Sequence, residues 1–113
     1  MDIKIDLEKG VNIISLNGNL DGNSAQEVQD QIIPILAGDS CLVFNLENCP
    51  YVSSAGLRVL LVIAKKLANS GGKGALANVP DEVKDVMEMT GFDNIFKTFS
   101  SINEAILDIQ KEG

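Results

Sequence analysis

The sequence predicts an α/β domain with a mixed sheet of about four to five strands and about four helices. Three observations carry that expectation: two β-type segments open the chain, a continuous apolar run lies near its middle, and helical and strand periodicities then alternate to the end. At 113 residues this is one domain, long enough to bury roughly two-thirds of its unfolded surface in a single core.

Ile3, Ile5 and Leu7 alternate with polar residues, and Val11, Ile13, Ile14 and Leu16 follow the Lys9-Gly10 break, so the chain opens as a hairpin and stays β-type to Gly18. In GNLDGNSAQE, Asn23 and Ser24 are good N-caps, and Ser24 with Glu27 has capping-box spacing. Val28, Ile32 and Leu36 give the first helix its apolar stripe, which Pro34 kinks or shortens. The run CLVFNL (41–46) marks a strand covered on both faces and belongs at the centre of the sheet.

After Ser53-Ser54, Leu57, Leu60, Leu61, Ala64, Leu67 and Ala68 recur at spacings of three and four, and the run stops at Asn69-Ser70-Gly71-Gly72. That is a long helix. GALAN (74–78) returns as a strand, Pro80 opens a third helix carrying Val83, Val86 and Met87, and Gly91 closes it. Lys97 to Phe99 adds an edge strand. The last helix starts at Ser101, with Glu104 three residues on and an apolar face of Ile102, Ala105, Ile106 and Ile109.

Composition removes several function classes. The formal charge of -7, from 16 acidic and 9 basic residues, repels phosphate backbones and anionic lipid, which argues against nucleic acid as a partner. The start MDIKIDLEKG has neither a basic segment nor an apolar core of signal length, and no apolar run approaches the roughly 20 residues of a membrane span. A cytoplasmic protein without membrane insertion is expected. Cys41 and Cys49 have no metal-ligand or disulfide-framework spacing, which fits a reducing compartment.

The chain contains no histidine, which excludes Ser-His-Asp, Cys-His and histidine-zinc arrangements. VSSAG differs from the nucleophile elbow G-x-S-x-G in having Val52 two residues before Ser54. SGGKG (70–74) lacks phosphate-loop spacing and follows a helix where such a loop precedes one. Asp81, Glu82, Asp85 and Glu88 read as the solvated face of the third helix. No catalytic residue, cofactor or metal is expected.

Ser53 and Ser54 remain. One of them N-caps the long helix, a contribution of about 1 kcal/mol. A hydroxyl at a helix start is also exposed, and a phosphate placed on it meets free N–H groups and the positive end of the helix dipole. The side of the long helix away from the stripe carries Arg58, Val59, Val62, Lys65 and Lys66, three of the nine basic residues interleaved with apolar ones. Such a mixture suggests a partner surface, or valines covered by a neighbouring helix or a second copy.

These residues resemble the STAS domain of bacterial anti-sigma factor antagonists, the anti-anti-sigma switches of sporulation and general-stress signalling. The resemblance runs through LNGNLDGNSAQE (16–27), LVFNLENCPYVSSAGLRVLL (42–61) and VMEMTGFDNIFKTF (86–99). It implies a single STAS domain over residues 1–113, with helices packed mainly on one face of the sheet. In the family the corner reads Asp-Ser-Ser/Thr-Gly-Leu, and the serine after the aspartate is phosphorylated by an anti-sigma factor that is itself a serine kinase. Alignment on Gly56-Leu57 makes Ser54 the implied acceptor, with Ser53 as the alternative. Here Ser53 stands in place of the aspartate and Ala55 in place of the second hydroxyl.

The family's Gly-x-Leu-Asp turn falls on Gly18 to Asp21, so Asp21 and Asn23 are implied to position the serine or meet the partner. The resemblance thus implies a binding protein, not an enzyme. Its partner-binding residues are Asp21, Asn23, Ser53, Ser54, Arg58, Val59, Val62 and Lys65, its partners an anti-sigma factor/serine kinase and a resetting serine phosphatase, and its state monomer or weak dimer. The alternative is a stand-alone STAS scaffold, or a regulatory subunit of a signalling assembly or transporter, without phosphotransfer.

Overall fold

The computed structural model describes residues 1–111; the last two residues of the expected 1–113 domain span lie outside the described residues. The chain order is β1 (Asp2–Glu8), β2 (Val11–Asn17), α1 (Ala25–Ile32), β3 (Cys41–Asn45), α2 (Ser54–Ser70), β4 (Lys73–Ala77), α3 (Asp81–Thr90), β5 (Lys97–Phe99) and α4 (Ile102–Lys111), with short 3-10 turns at Ile33–Ile35 and Phe92–Asn94. The five strands lie side by side in that same order. β1 is antiparallel to β2, and β2 through β5 run parallel.

The hairpin turns on Lys9 and Gly10, both at positive φ (53° and 80°). Consecutive left-handed residues of this kind match the twist of the flanking strands. β3 is the central strand, as its unbroken apolar run predicts, and Leu42, Val43 and Phe44 are fully buried.

Strand order explains where the helices go. Each parallel crossover steps to the adjacent strand in the same direction, and right-handed connections then put α1, α2 and α3 on one face. There Ile14, Leu16, Leu42, Phe44 and Leu76 pack with Val28, Ile32, Leu60, Ile63, Val83 and Met87. After β5 no further strand follows among the described residues, and α4 covers the opposite face. Its Ala105, Ile106 and Ile109 rest on Val11, Ile13, Val43, Ala75 and Ala77. The expected arrangement, helices mainly on one face, is the observed one.

Helix ends follow local chemistry. α1 stops at Ile32, and Pro34 continues the chain as a 3-10 turn. Gly71 and Gly91 close α2 and α3 in the left-handed conformation. Ser101 Oγ accepts the Glu104 N–H at 3.1 Å, which is half of the expected capping box. The Glu104 carboxylate instead accepts from the Ser100 hydroxyl.

The start of α1 departs from expectation. Ser24 makes no side-chain cap; its hydroxyl donates to the Asn19 carbonyl at 2.7 Å and accepts the Asp21 N–H at 3.1 Å. Asp21 does the local work, because Oδ1 accepts from the N–H groups of Asn23 (2.9 Å) and Ser24 (3.3 Å).

Candidate functional site at the serine corner

Beyond the carboxyl ends of β2 and β3 the chain continues in two loops that are bonded together. Gly18 N–H donates to Asn48 O, Leu20 N–H to Tyr51 O, and Ser53 N–H to Leu20 O, each at 2.9 Å. Leu20 and Val52 form a parallel bridge and are both buried. The parallel pairing of β2 with β3 is thereby resumed one loop later, which ties the turn at Asp21 to the start of α2.

The sequence left open which of Ser53 and Ser54 caps the helix, and the structure gives the cap to Ser53. Ser53 has extended backbone (φ -86°, ψ 176°) and is the N-cap of α2, its Oγ accepting the Gly56 N–H at 3.3 Å. Ser54 is the first helical residue and is exposed. The first turn of the 17-residue α2 holds no acid, so nothing there offsets the positive end of its dipole.

Gly56 fixes how close the corner sits. A Cβ built on it would meet the Leu20 carbonyl oxygen at 2.5 Å and the Leu20 side chain at 2.8 Å. No side chain fits there without moving the Asp21 turn away from the helix. Behind the corner Cys49 is fully buried, and burial pushes its thiol pKa up, partly offset by backbone hydrogen bonds near Leu20 and Tyr51. Beside it Tyr51 stands 53% exposed.

The family model described as "STAS domain" matches residues 2–105. The chain belongs to the STAS-domain family of anti-sigma factor antagonists. BtrV of Bordetella bronchiseptica is 31% identical over 102 residues, spanning 89% of this chain and 88% of that protein. The anti-sigma F factor antagonist of Paenibacillus polymyxa is 27% identical over 114 residues, spanning 97% of each. The fold superposes on SpoIIAA in its unphosphorylated form with a TM-score of 0.80 at 18% identity over 97% of each chain. The TM-score to the phosphorylated form of Bacillus SpoIIAA is 0.69 at 18% identity, over 93% of this chain and 96% of that one. At these identities the likeness is one of fold.

Within this STAS domain Asp21, Ser53 and Ser54 come together, joined through Leu20. Asp21 and Ser53 are half-buried; Asn23, Ser54, Arg58 and Lys65 are exposed, and Val62 is 39% exposed. Val59 is a correction: it is only 6% exposed and belongs to the core, so it is no part of an accessible partner surface. The reason is that α2 packs on α1 as well as on the sheet, which widens its buried arc to Gly56, Val59, Leu60, Ile63 and Leu67. Of the expected stripe, Ala68 is exposed.

Sequence reasoning missed the Gly56–Leu20 approach. The available signal was a glycine in the first turn of a helix, where its low propensity calls for a packing reason. Among the described residues no group of three or more His, Cys, Asp or Glu is placed to hold a metal ion, and no helix is long and apolar enough to cross a membrane.

Proposed function

We propose that this STAS domain is a phosphorylation-controlled partner switch: unphosphorylated, it binds an anti-sigma factor that is also a serine kinase and so releases a sigma factor, and phosphate on Ser54 ends that binding. A serine phosphatase resets it. The observation that carries this reading is the division of labour at the corner, with the Ser53 oxygen engaged as the cap and the Ser54 hydroxyl exposed at the positive end of a long helix. Ser54 can receive a phosphate there without loss of a structural hydrogen bond. The binding surface in this reading runs from the two serines, with Asp21 and Asn23 beside them, along the exposed side of α2 through Arg58 and Val62 to Lys65.

The magnitudes suffice. A phosphate adds about -1.5 to -2 charges, and at roughly 5 Å from a partner carboxylate each unit charge costs about 3 kcal/mol at an effective dielectric near 20. That is on the order of a hundredfold in affinity. No change of fold is needed, and SpoIIAA, a protein of the same fold, has been solved in both phosphorylated and unphosphorylated forms.

Site-resolved mass spectrometry of the protein isolated from its native cell, beside Ser54→Ala, tests the proposal. One phosphate on Ser54, absent from the variant, is the expected result. Phosphate on Ser53 would overturn the site assignment, and a chain unmodified across growth conditions would overturn the switch.

A further inference from the structure

The sheet has two free edges of unequal character. The β5 edge is three residues long and carries Lys97, which pairs with Asp108 at 3.7 Å. The β1 edge is seven residues long, and among the described residues no strand pairs with its outer side. A long open edge presents a row of backbone donors and acceptors to another strand.

The side chains of β1 are sorted by face. Its register with β2 sets Ile3 opposite Leu16, Ile5 opposite Ile14 and Leu7 opposite Asn12, so these apolar residues lie on the α1 side of the sheet. Ile3 packs against the core, but Ile5 is 38% and Leu7 72% exposed. Asp2, Lys4, Asp6 and Glu8 occupy the other face, where all four are exposed. Charged edge strands ordinarily resist pairing. The order of charges here has a different consequence.

We propose that the outer edge of β1 is a self-recognition surface, on which a second copy of this chain adds its own β1 antiparallel, centred on Ile5. A two-fold axis through Ile5 keeps each residue on its own face. It sets Ile5 against Ile5, Ile3 against Leu7 of the second copy, and Lys4 against Asp6 of the second copy, twice over. All seven residues are paired, and the exposed Ile5 and Leu7 gain apolar neighbours. Sliding the strands by two residues shortens the pairing and sets Lys4 against Lys4, or Asp6 against Asp6, on the axis. In the full-length register only Asp2 and Glu8, at the two ends, oppose a like charge.

This inference is independent of the phospho-switch reading, and sedimentation equilibrium of the full chain from micromolar to millimolar concentration tests it. The wild type is expected to dimerise reversibly. Lys4→Asp and Asp6→Lys each place like charges opposite one another and weaken self-association by about tenfold or more. Mixing those two variants restores association, because every central pair is then of opposite sign. Asp2→Lys, which sets a lysine against Glu8 of the second copy, tightens the dimer in this register, whereas pairing centred on Asp6 leaves residue 2 without a partner in the strand. All these positions are exposed, and circular dichroism verifies that each variant is folded. A wild type that stays monomeric throughout, single variants that associate unchanged, or a mixture that stays apart would each overturn the proposal; an Asp2→Lys variant that dimerises no more tightly would overturn the register.

Discussion

Gly56 stands in the first turn of a helix, where alanine would be the better helix former by about 1 kcal/mol. The Leu20 carbonyl lies where its Cβ would go, and forcing an atom into such a contact costs about 1–3 kcal/mol through backbone displacement. Gly56→Ala is therefore expected to lower the urea midpoint despite the propensity gain, with the slope of the transition unchanged. A variant as stable as the wild type would mean that the Asp21 turn yields freely. The serines at this corner were legible as a pair of roles, because a helix start needs one acceptor and exposes the next residue. Which serine caps and which is left exposed follows from backbone geometry, with Ser53 extended and Ser54 helical. The Asp21 turn shows the same limit: Ser24 and Glu27 have capping-box spacing, yet the Asn19 carbonyl claims the Ser24 hydroxyl. A bond to a residue five positions back is invisible to a rule that reads three positions forward.

At the scale of elements, periodicity located the four longer strands and the four α-helices, since each is long enough or patterned enough to announce its partner face, while the three-residue β5 carries no such pattern. It failed on the width of one stripe. Residue spacing puts Val59 on the outer side of α2 because it describes contact with one neighbour, whereas α2 meets the sheet and α1 together. The two valines should consequently behave differently. Val59→Ala removes buried methyl groups and is expected to cost about 1–3 kcal/mol in chemical denaturation. Val62→Ala, at an exposed site, should stay within about 0.5 kcal/mol of the wild type while weakening capture of the anti-sigma factor in a pull-down titration. Equal losses of stability would contradict the core assignment.

For the molecule as a whole, Cys49 offers a built-in reporter of opening. Its thiol is fully buried, and desolvation holds it in the protonated form, so it is unreactive while the domain is closed. Alkylation at mildly alkaline pH is expected to modify half-buried Cys41 first and Cys49 only at the rate of unfolding, as mass spectrometry would show; rapid labelling of Cys49 in the native state would reveal a local opening of the corner. The sign with pH follows from the raised pKa. The neutral thiol is the form the fold favours, so this stabilisation is intact below the ordinary thiol value and is lost as pH rises through the folded-state value. Strand order has a consequence for synthesis as well. Because the five strands stand in the sheet in the order in which they are joined along the chain, each new strand emerging from the ribosome meets an edge that its predecessor has just completed. No early strand waits for a late one, and the two loops of the serine corner can find each other well before β5 and α4 have been made.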